Sequence, residues 1–150
     1  MKPEDKDLLF KDLCARLPYN VICQVEFKEN GKYNSKVMLL SGIFSDEAYF
    51  TTKGGSIYSN EYKPYLFPLS SMTDEQAKEI QEIIGNPNYA CIIRKTDGLE
   101  LWLNFIDTDP TIWLDTIFEV QDYLNKNHFD YRGLIEKGLA IDVTGLNIYN

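Results

Sequence analysis

The chain contains one histidine, His128, so any site that needs an imidazole must use it. Asp130 follows two residues later, and a neighbouring carboxylate can orient a histidine that acts as general base on a serine or cysteine. The sequence lacks the Gly-x-Ser-x-Gly pattern that presents a nucleophilic serine. We therefore expect His128 to stabilise the end of a helix, with a small hydrolase or transferase using His128 and Asp130 as the alternative.

Five carboxylates in the C-terminal half provide the oxygen ligands that hard cations prefer. Three of them, Asp115, Glu119 and Asp122, fall at helical spacing on what should be the polar face of a helix. The glycine-turned loop of a calcium-binding hand does not accompany them. We expect a solvated acidic face and no metal site; the five residues are Asp107, Asp109, Asp115, Glu119 and Asp122.

An aromatic stretch between residues 58 and 67 is the strongest candidate for a binding surface. Aromatic side chains in irregular structure can stack nucleic-acid bases or anchor a protein partner. Equally, they can lie over a sheet and close the core, and the sequence leaves these alternatives open. The stretch comprises Tyr58, Tyr62, Tyr65 and Phe67, with Lys53 and Lys63 beside it.

Charge and composition limit the classes of partner that we expect this protein to bind. The 150 residues include 15 Lys and Arg against 23 Asp and Glu, a net charge of −8, so the chain lacks the basic stripe that binds phosphates. Apolar runs are too short for a membrane span, and the charged N-terminus predicts no secretory signal. The three cysteines, Cys14, Cys23 and Cys91, form no Cys-x-x-Cys pair and indicate a reducing cytoplasm. We expect one cytoplasmic domain with a protein partner and no nucleic-acid, membrane or cofactor binding.

The first half of the chain predicts a helix followed by a three-stranded meander. Apolar spacing predicts a helix over residues 4–17 that Pro18 stops, with Asp12 on its polar side. Alternation predicts a strand from Val21, and residues 48–52 should form the third strand. At Asn30-Gly31 a two-residue loop is possible, but we favour a three-residue loop. That loop pairs Phe27 with Tyr33, Cys23 with Val37 and Val21 with Leu39.

The second half predicts two helices around a hairpin. Residues 53–72 look irregular because glycines and prolines interrupt them. Thr73 and Gln76 form a capping box for a helix that ends at Gly85. Strands at 89–96 and 99–106 flank Asp97-Gly98, in a register that places Lys95 opposite Glu100. The last helix, residues 111–127, buries Trp113, Ile117, Val120 and Leu124.

The predicted order is therefore helix, three strands, helix, two strands, helix. This pattern is typical of an α+β domain with an antiparallel sheet covered by helices. The order and the acidity also look like the small secretion-chaperone fold, whose members dimerise and bind an unfolded segment. That analogy raises the expectation of protein binding, or of a chaperone-like or structural homo-oligomer, without establishing either.

Three longer motifs carry a resemblance to a known family. They are residues 11–19 (KDLCARLPY), 63–73 (KPYLFPLSSMT) and 128–140 (HFDYRGLIEKGLA). Together they resemble a family of small uncharacterised proteins encoded by phages and prophages of gut Bacteroidetes-type bacteria. The resemblance implies a small accessory protein in a bacterial cytoplasm, and it implies no activity, cofactor or catalytic residue.

The sequence therefore predicts a non-enzymatic accessory protein that binds a host or phage protein, with a homodimer also possible. The segment of residues 63–73 and the neighbouring aromatics should form the contact surface. The predicted binding residues are Tyr62, Lys63, Tyr65 and Phe67, together with Tyr131 and Arg132 of the third motif.

Overall fold

A computed structural model describes residues 1–44, 47–85, 90–95, 98–103 and 110–149, without the side chains of 90–95, 98–103 and 110–114. The chain is divided into two compact units. Unit 1 comprises Met1–Leu66 with Arg132–Asn150, and unit 2 comprises Phe67–Tyr131. The combination of helices with a largely antiparallel sheet confirms the predicted α+β class.

Unit 1 begins with helix α1, Pro3–Arg16, which confirms the predicted helix. Proline is favoured at the first helical position because the missing N–H has no helical partner there, and Glu4 and Asp5 complement the dipole of the first turn. A 3₁₀ turn, Leu17–Tyr19, follows and contains Pro18. Leu9 and Leu13 of α1 pack into the core of unit 1.

Five strands follow, where three were predicted. They are β1 Ile22–Glu29, β2 Lys32–Phe44, β3 Glu47–Thr52, β4 Gly55–Ser59 and β5 Tyr62–Pro68, in the spatial order β4-β3-β2-β1-β5 with antiparallel neighbours. The prediction that residues 53–72 are irregular was wrong. Thr52 pairs with Gly55 across a two-residue connection, so the chain returns at once as a strand. Strand β5 was not predicted because it contains Pro64 and Pro68, and proline is unusual inside a strand.

The register between β1 and β2 differs from the favoured prediction. Asn30 (φ 50°) and Gly31 (φ 78°) both have left-handed backbones and form a two-residue turn, with Glu29 opposite Lys32. Such turns match the twist of the flanking strands, which explains why this loop prevails over the three-residue one. The observed pairs are Val25 with Lys36, Phe27 with Asn34 and Cys23 with Met38.

This register decides which side chains of β2 enter the core. A shift of one residue exchanges the two faces of a strand. Met38 and Leu40 are buried, whereas Val37, which was predicted to face inward, is 51% exposed. We call the buried side of the five strands the inner face and the other side the outer face. The inner-face core includes Val21, Cys23, Val25, Met38, Leu40, Ala48 and Phe50.

The C-terminal segment completes unit 1. Strand β9, Ile141–Asp142, runs parallel to β5 at Tyr65 and Leu66. The Tyr149 hydroxyl accepts a hydrogen bond from the Ile22 N–H (3.2 Å) and donates one to the Tyr65 carbonyl (2.7 Å). Tyr149 thus lies where β1 and β5 meet, in a part of the chain to which the sequence assigned no structure.

Unit 2 contains a 3₁₀ turn, Leu69–Ser71, followed by helix α2, Asp74–Ile84. The predicted capping box is confirmed: Gln76 N–H donates to Thr73 Oγ1 (3.2 Å), and Thr73 N–H donates to Gln76 Oε1 (2.9 Å). The remaining elements are β6 Ala90–Lys95, β7 Gly98–Leu103, α3 Pro110–Lys126 and β8 Phe129–Asp130, which is parallel to Phe67 and Pro68 of β5. The core contains Met72, Ile80, Val120 and Phe129.

Two predictions for unit 2 need correction or restriction. The hairpin pairs Lys95 with Gly98 and Ile93 with Glu100, so the predicted pairing of Lys95 with Glu100 was wrong. Among the predicted apolar positions of α3, Val120 and Leu124 pack into the core while Ile117 is exposed. No described helix is both long and apolar enough to cross a membrane.

Replacing Gly31 with alanine should destabilise the protein by about 1–2 kcal/mol, because alanine disfavours the left-handed backbone of this turn. Gly54→Ala is the matched control: Gly54 has no left-handed φ and open space around its Cβ position, so the change should stay within about 0.5 kcal/mol. Urea unfolding of both variants measures the difference. Equal stability of the two variants would show that the left-handed backbone at Gly31 carries no cost for alanine.

Candidate functional site

The predicted aromatic segment is mostly inside the protein. Tyr65 is 8% exposed and Leu66 is fully buried. Tyr62 is half-buried, packs against the unit 1 core and has its ring centroid 5.3 Å from that of Phe50. Lys63 is exposed. In unit 1 the segment therefore serves chiefly as core, and its role as a contact surface stays a prediction.

Burial perturbs the tyrosines of this segment. It raises the pKa of Tyr62 to about 12, with smaller contributions from Cys23 and Cys14. Burial also raises the pKa of Tyr65. Desolvation disfavours the charged phenolate, so both phenols retain the proton to a higher pH than an exposed tyrosine does.

Phe67 and Tyr131, which were predicted as binding residues, belong to unit 2. Phe67 is half-buried and its ring centroid lies 6.3 Å from that of Phe129. The Tyr131 hydroxyl accepts a hydrogen bond from Gln121 Nε2 at 3.0 Å. Both side chains have partners inside unit 2 that account for their positions.

Arg132 participates in a charge cluster in unit 1. Its Nε lies 3.3 Å from Asp12 Oδ1. Asp12 also accepts hydrogen bonds from Arg16 Nε at 2.7 Å and from Arg16 Nη2 at 3.1 Å, and both Asp12 and Arg16 are fully buried. One carboxylate thus contacts two guanidinium groups, which compensates for part of its desolvation.

The prediction that Asp12 lies on the polar side of α1 was wrong. Asp12 and Arg16 follow Leu9 by three and seven residues, the spacing of one helical stripe. They therefore share the buried face with Leu9 and Leu13. An acid and a base four residues apart on an apolar stripe was the signal available in the sequence.

Cys23 borders this cluster. Burial raises the pKa of its thiol far above the ordinary value; Asp12 raises it further and Arg16 opposes the shift. A thiol that stays protonated is a poor nucleophile and a poor metal ligand. Cys23 therefore serves as core.

His128 and Asp130 are buried, at 9% and 7% exposure. His128 has a left-handed backbone (φ 57°) and follows the end of α3. Its N–H donates to the Asn125 carbonyl (3.1 Å), and its carbonyl accepts from the Phe67 N–H (2.9 Å). The backbone of His128 thus has a clear structural role in unit 2.

The acidic candidates do not converge where they can be placed. Asp115, Glu119 and Asp122 are exposed on α3. Among the described residues, no three His, Cys, Asp or Glu side chains could hold one metal ion. Asp107 and Asp109 lie outside the described residues.

The sequence did not single out an aromatic cluster on the outer face of unit 1. Phe44 and Tyr58 are 57% and 56% exposed. Tyr49 lies directly opposite Tyr58 on β3 and β4, and their ring centroids are 4.9 Å apart. The Phe44 ring meets Tyr58 edge-on at 6.0 Å. We call Phe44, Tyr49 and Tyr58 the aromatic patch.

A β-bulge shapes this patch. The pairing of β2 with β3 shifts between Leu40 and Gly42, which leaves Ser41 as the extra residue. A Cβ at Gly42 would lie 3.0 Å from Cε2 of Phe44. Glycine therefore provides the space in which the Phe44 ring lies against the strand.

Most neighbours of the patch are apolar or hydroxyl side chains; Glu47, which pairs with Phe44, is charged. Leu39 and Val37 continue the outer face along β2, and Ser41 and Thr51 share a hydrogen bond of 2.7 Å. The predicted register placed Val37 and Leu39 inward, and for that reason this surface was not predicted from the sequence. Tyr58 belonged to the predicted aromatic stretch and is the member of it that is most exposed.

Comparisons with family models, curated proteins and solved structures gave no match to this chain. A function for this protein is therefore argued from the geometry of its own residues.

Replacing Asp12 with alanine should destabilise the protein by about 3–5 kcal/mol, because two guanidinium groups would lose the carboxylate that compensates their burial. Asp7→Ala changes an exposed carboxylate on the same helix and should cost less than about 0.5 kcal/mol. Urea unfolding of both variants provides the comparison. A loss below about 1 kcal/mol for Asp12→Ala would contradict a structural role for the cluster.

The raised pKa of Tyr62 predicts a loss of stability in alkaline solution. The unfolded chain releases the phenolic proton near the ordinary value of 10.0, whereas the folded chain retains it to about 12. The folded state binds more protons in this window, so stability falls as pH rises through it. In Tyr62→Phe the fall should be shallower than in the wild type. Tyr33→Phe, at an exposed site, is the control; unchanged pH dependence in Tyr62→Phe would refute the expectation.

Proposed function

We propose that this protein is a non-enzymatic binding module that engages a protein partner through the outer face of unit 1. The observation that carries the proposal is the aromatic patch, in which two large rings remain more than half exposed although each contacts another ring. Contiguous exposed aromatic surface is typical of protein interaction sites.

The patch is held in place before any partner arrives. Its residues lie on strands paired in a continuous ladder from β2 through β4. The Phe44 ring lies close against Gly42, and Tyr58 contacts two neighbouring rings. Aromatic rings fixed by packing lose little further freedom on binding, so more of the contact energy contributes to affinity.

Charge favours a protein over a nucleic acid. The net charge of −8 opposes approach to phosphates, and the outer face around the patch carries mainly aromatic, aliphatic and hydroxyl side chains, with the Glu47 carboxylate opposite Phe44. Interface centres are depleted in charged residues in the same way.

The resemblance of the three motifs supports a small accessory protein of phage or prophage origin that acts in a bacterial cytoplasm on a host or phage protein. The described cysteines, Cys14 and Cys23, are free thiols. Within this proposal the contact surface moves from residues 63–73 to the outer face, because Tyr65 and Leu66 are buried.

Affinity capture from host lysate, followed by mass spectrometry, should recover one stoichiometric partner that is lost in the double variant Phe44→Ser with Tyr58→Ser. Removing two anchor rings should weaken binding by at least tenfold, about 1.4 kcal/mol or more. The matched control is Phe118→Ser, which removes an exposed ring (62%) from α3 in unit 2 and should retain the partner.

Circular dichroism first establishes that each variant is folded. A partner retained by the folded double variant, or lost equally in Phe118→Ser, would refute the assignment of this surface. Light scattering of the purified protein separates a foreign partner from a second copy of the chain: a homodimer that the double variant dissociates would replace the proposal with self-association.

A further inference from the structure

Two strand edges of unit 1 lack a neighbouring strand among the described residues. Strand β1 pairs with β5 through Val25, and the Glu26 N–H donates to the Glu61 carbonyl at 2.8 Å. From Phe27 onward, none of the described strands pairs with β1 on that side. Strand β4 ends the spatial order of the sheet.

These two edges border one cleft. The Ser59 hydroxyl of β4 donates to the Glu26 carbonyl of β1 at 2.7 Å and brings the strands together at one end. Beyond this contact lies a cleft of about 500 Å³. Its walls include Phe27 and Lys28 of β1, with Ile57 and Tyr58 of β4.

The backbone of β1 presents hydrogen-bonding groups to this cleft. In an antiparallel strand, alternate residues direct their N–H and C=O toward the same side. Both backbone groups of Glu26 bond on the side of β4 and β5, so those of Lys28 point the same way. The free edge, Phe27 to Glu29, spans roughly 10 Å at the rise of a strand, enough to pair with about three residues.

The charges around the cleft favour a basic occupant. Its lining includes three carboxylates, Glu26, Glu47 and Glu61, and one ammonium, that of Lys28. The Lys28 Nζ lies 5.7 Å from the centroid of the Tyr33 ring. The cleft therefore has an excess of two negative charges beside its aromatic and aliphatic walls.

We infer that this cleft binds an extended segment of the partner protein as an added strand on β1, with lysine or arginine side chains toward the carboxylates and apolar ones toward Phe27 and Ile57. Main-chain hydrogen bonds to an open edge provide affinity in this mode, and alternate side chains provide selectivity. The inference rests on the proposed function and names the class of segment; Tyr58 belongs to both the aromatic patch and the cleft.

The test titrates ¹⁵N-labelled protein with an octapeptide that alternates lysine and valine. The amide resonances of Lys28 and Tyr58 should shift, and exchange of the Lys28 amide with solvent should slow. A peptide alternating glutamate and valine should not bind. A lysine and valine peptide with alternate amides N-methylated should bind at least tenfold more weakly, because it cannot complete the ladder.

Matched variants distinguish an effect of the cleft carboxylates on peptide binding from an effect of the net charge of the protein. Replacing Glu26, Glu47 and Glu61 with glutamine should weaken peptide binding about tenfold. The control replaces three exposed glutamates elsewhere with glutamine, at the same change of charge, and should leave binding unchanged; these are Glu4, Glu119 and Glu136.

Equal binding of the glutamate peptide, shifts away from β1 and β4, or equal weakening by the two triple variants would each overturn the inference. If the captured partner is lost when Phe44 is replaced but the lysine and valine peptide does not bind, the cleft is overturned and the proposed function stays intact. Peptide binding with a captured partner that does not depend on Phe44 supports the cleft and overturns the outer-face surface.

Discussion

The two-residue turn at Asn30 and Gly31 is the constraint on which the rest of unit 1 depends. Its left-handed backbone sets the register of β1 against β2, and a one-residue change would exchange the two faces of the strand. With this register, Met38 and Leu40 contribute to the core while Val37 lies on the outer face. The free edge of β1 also ends at this turn, so the same local geometry determines the position of the cleft.

A second constraint is the buried charge cluster on α1. Asp12 contacts Arg16 within the helix and Arg132 in the returning C-terminal segment of unit 1. These residues belong to two of the sequence motifs described above, residues 11–19 and 128–140. A buried carboxylate without its partners is strongly unfavourable, so loss of the contact with Arg132 or Arg16 should destabilise unit 1.

In the proposed function, the aromatic patch and the adjoining cleft combine two physical modes of recognition. The patch provides preformed apolar area, and the edge of β1 provides directional backbone groups beside an excess of carboxylates. Area alone does not determine affinity or choice of partner. A segment that is extended, basic and partly apolar would satisfy both surfaces, whereas an acidic one would meet repulsion from the glutamates.

Local interactions made parts of this structure predictable from sequence. The capping box of Thr73 and Gln76, the helix periodicity and the α+β class depend on residues close together in the chain. Strand number, the hairpin registers, the burial of Asp12 and the exposure of Phe44 did not follow. They depend on which distant segments pack together, and prolines and alternating apolar residues fit more than one pairing. The sequence determined the helices and the first strands, and only the tertiary structure decided the remaining strands and which side chains became core or surface, because pairing and burial depend on contacts between distant segments.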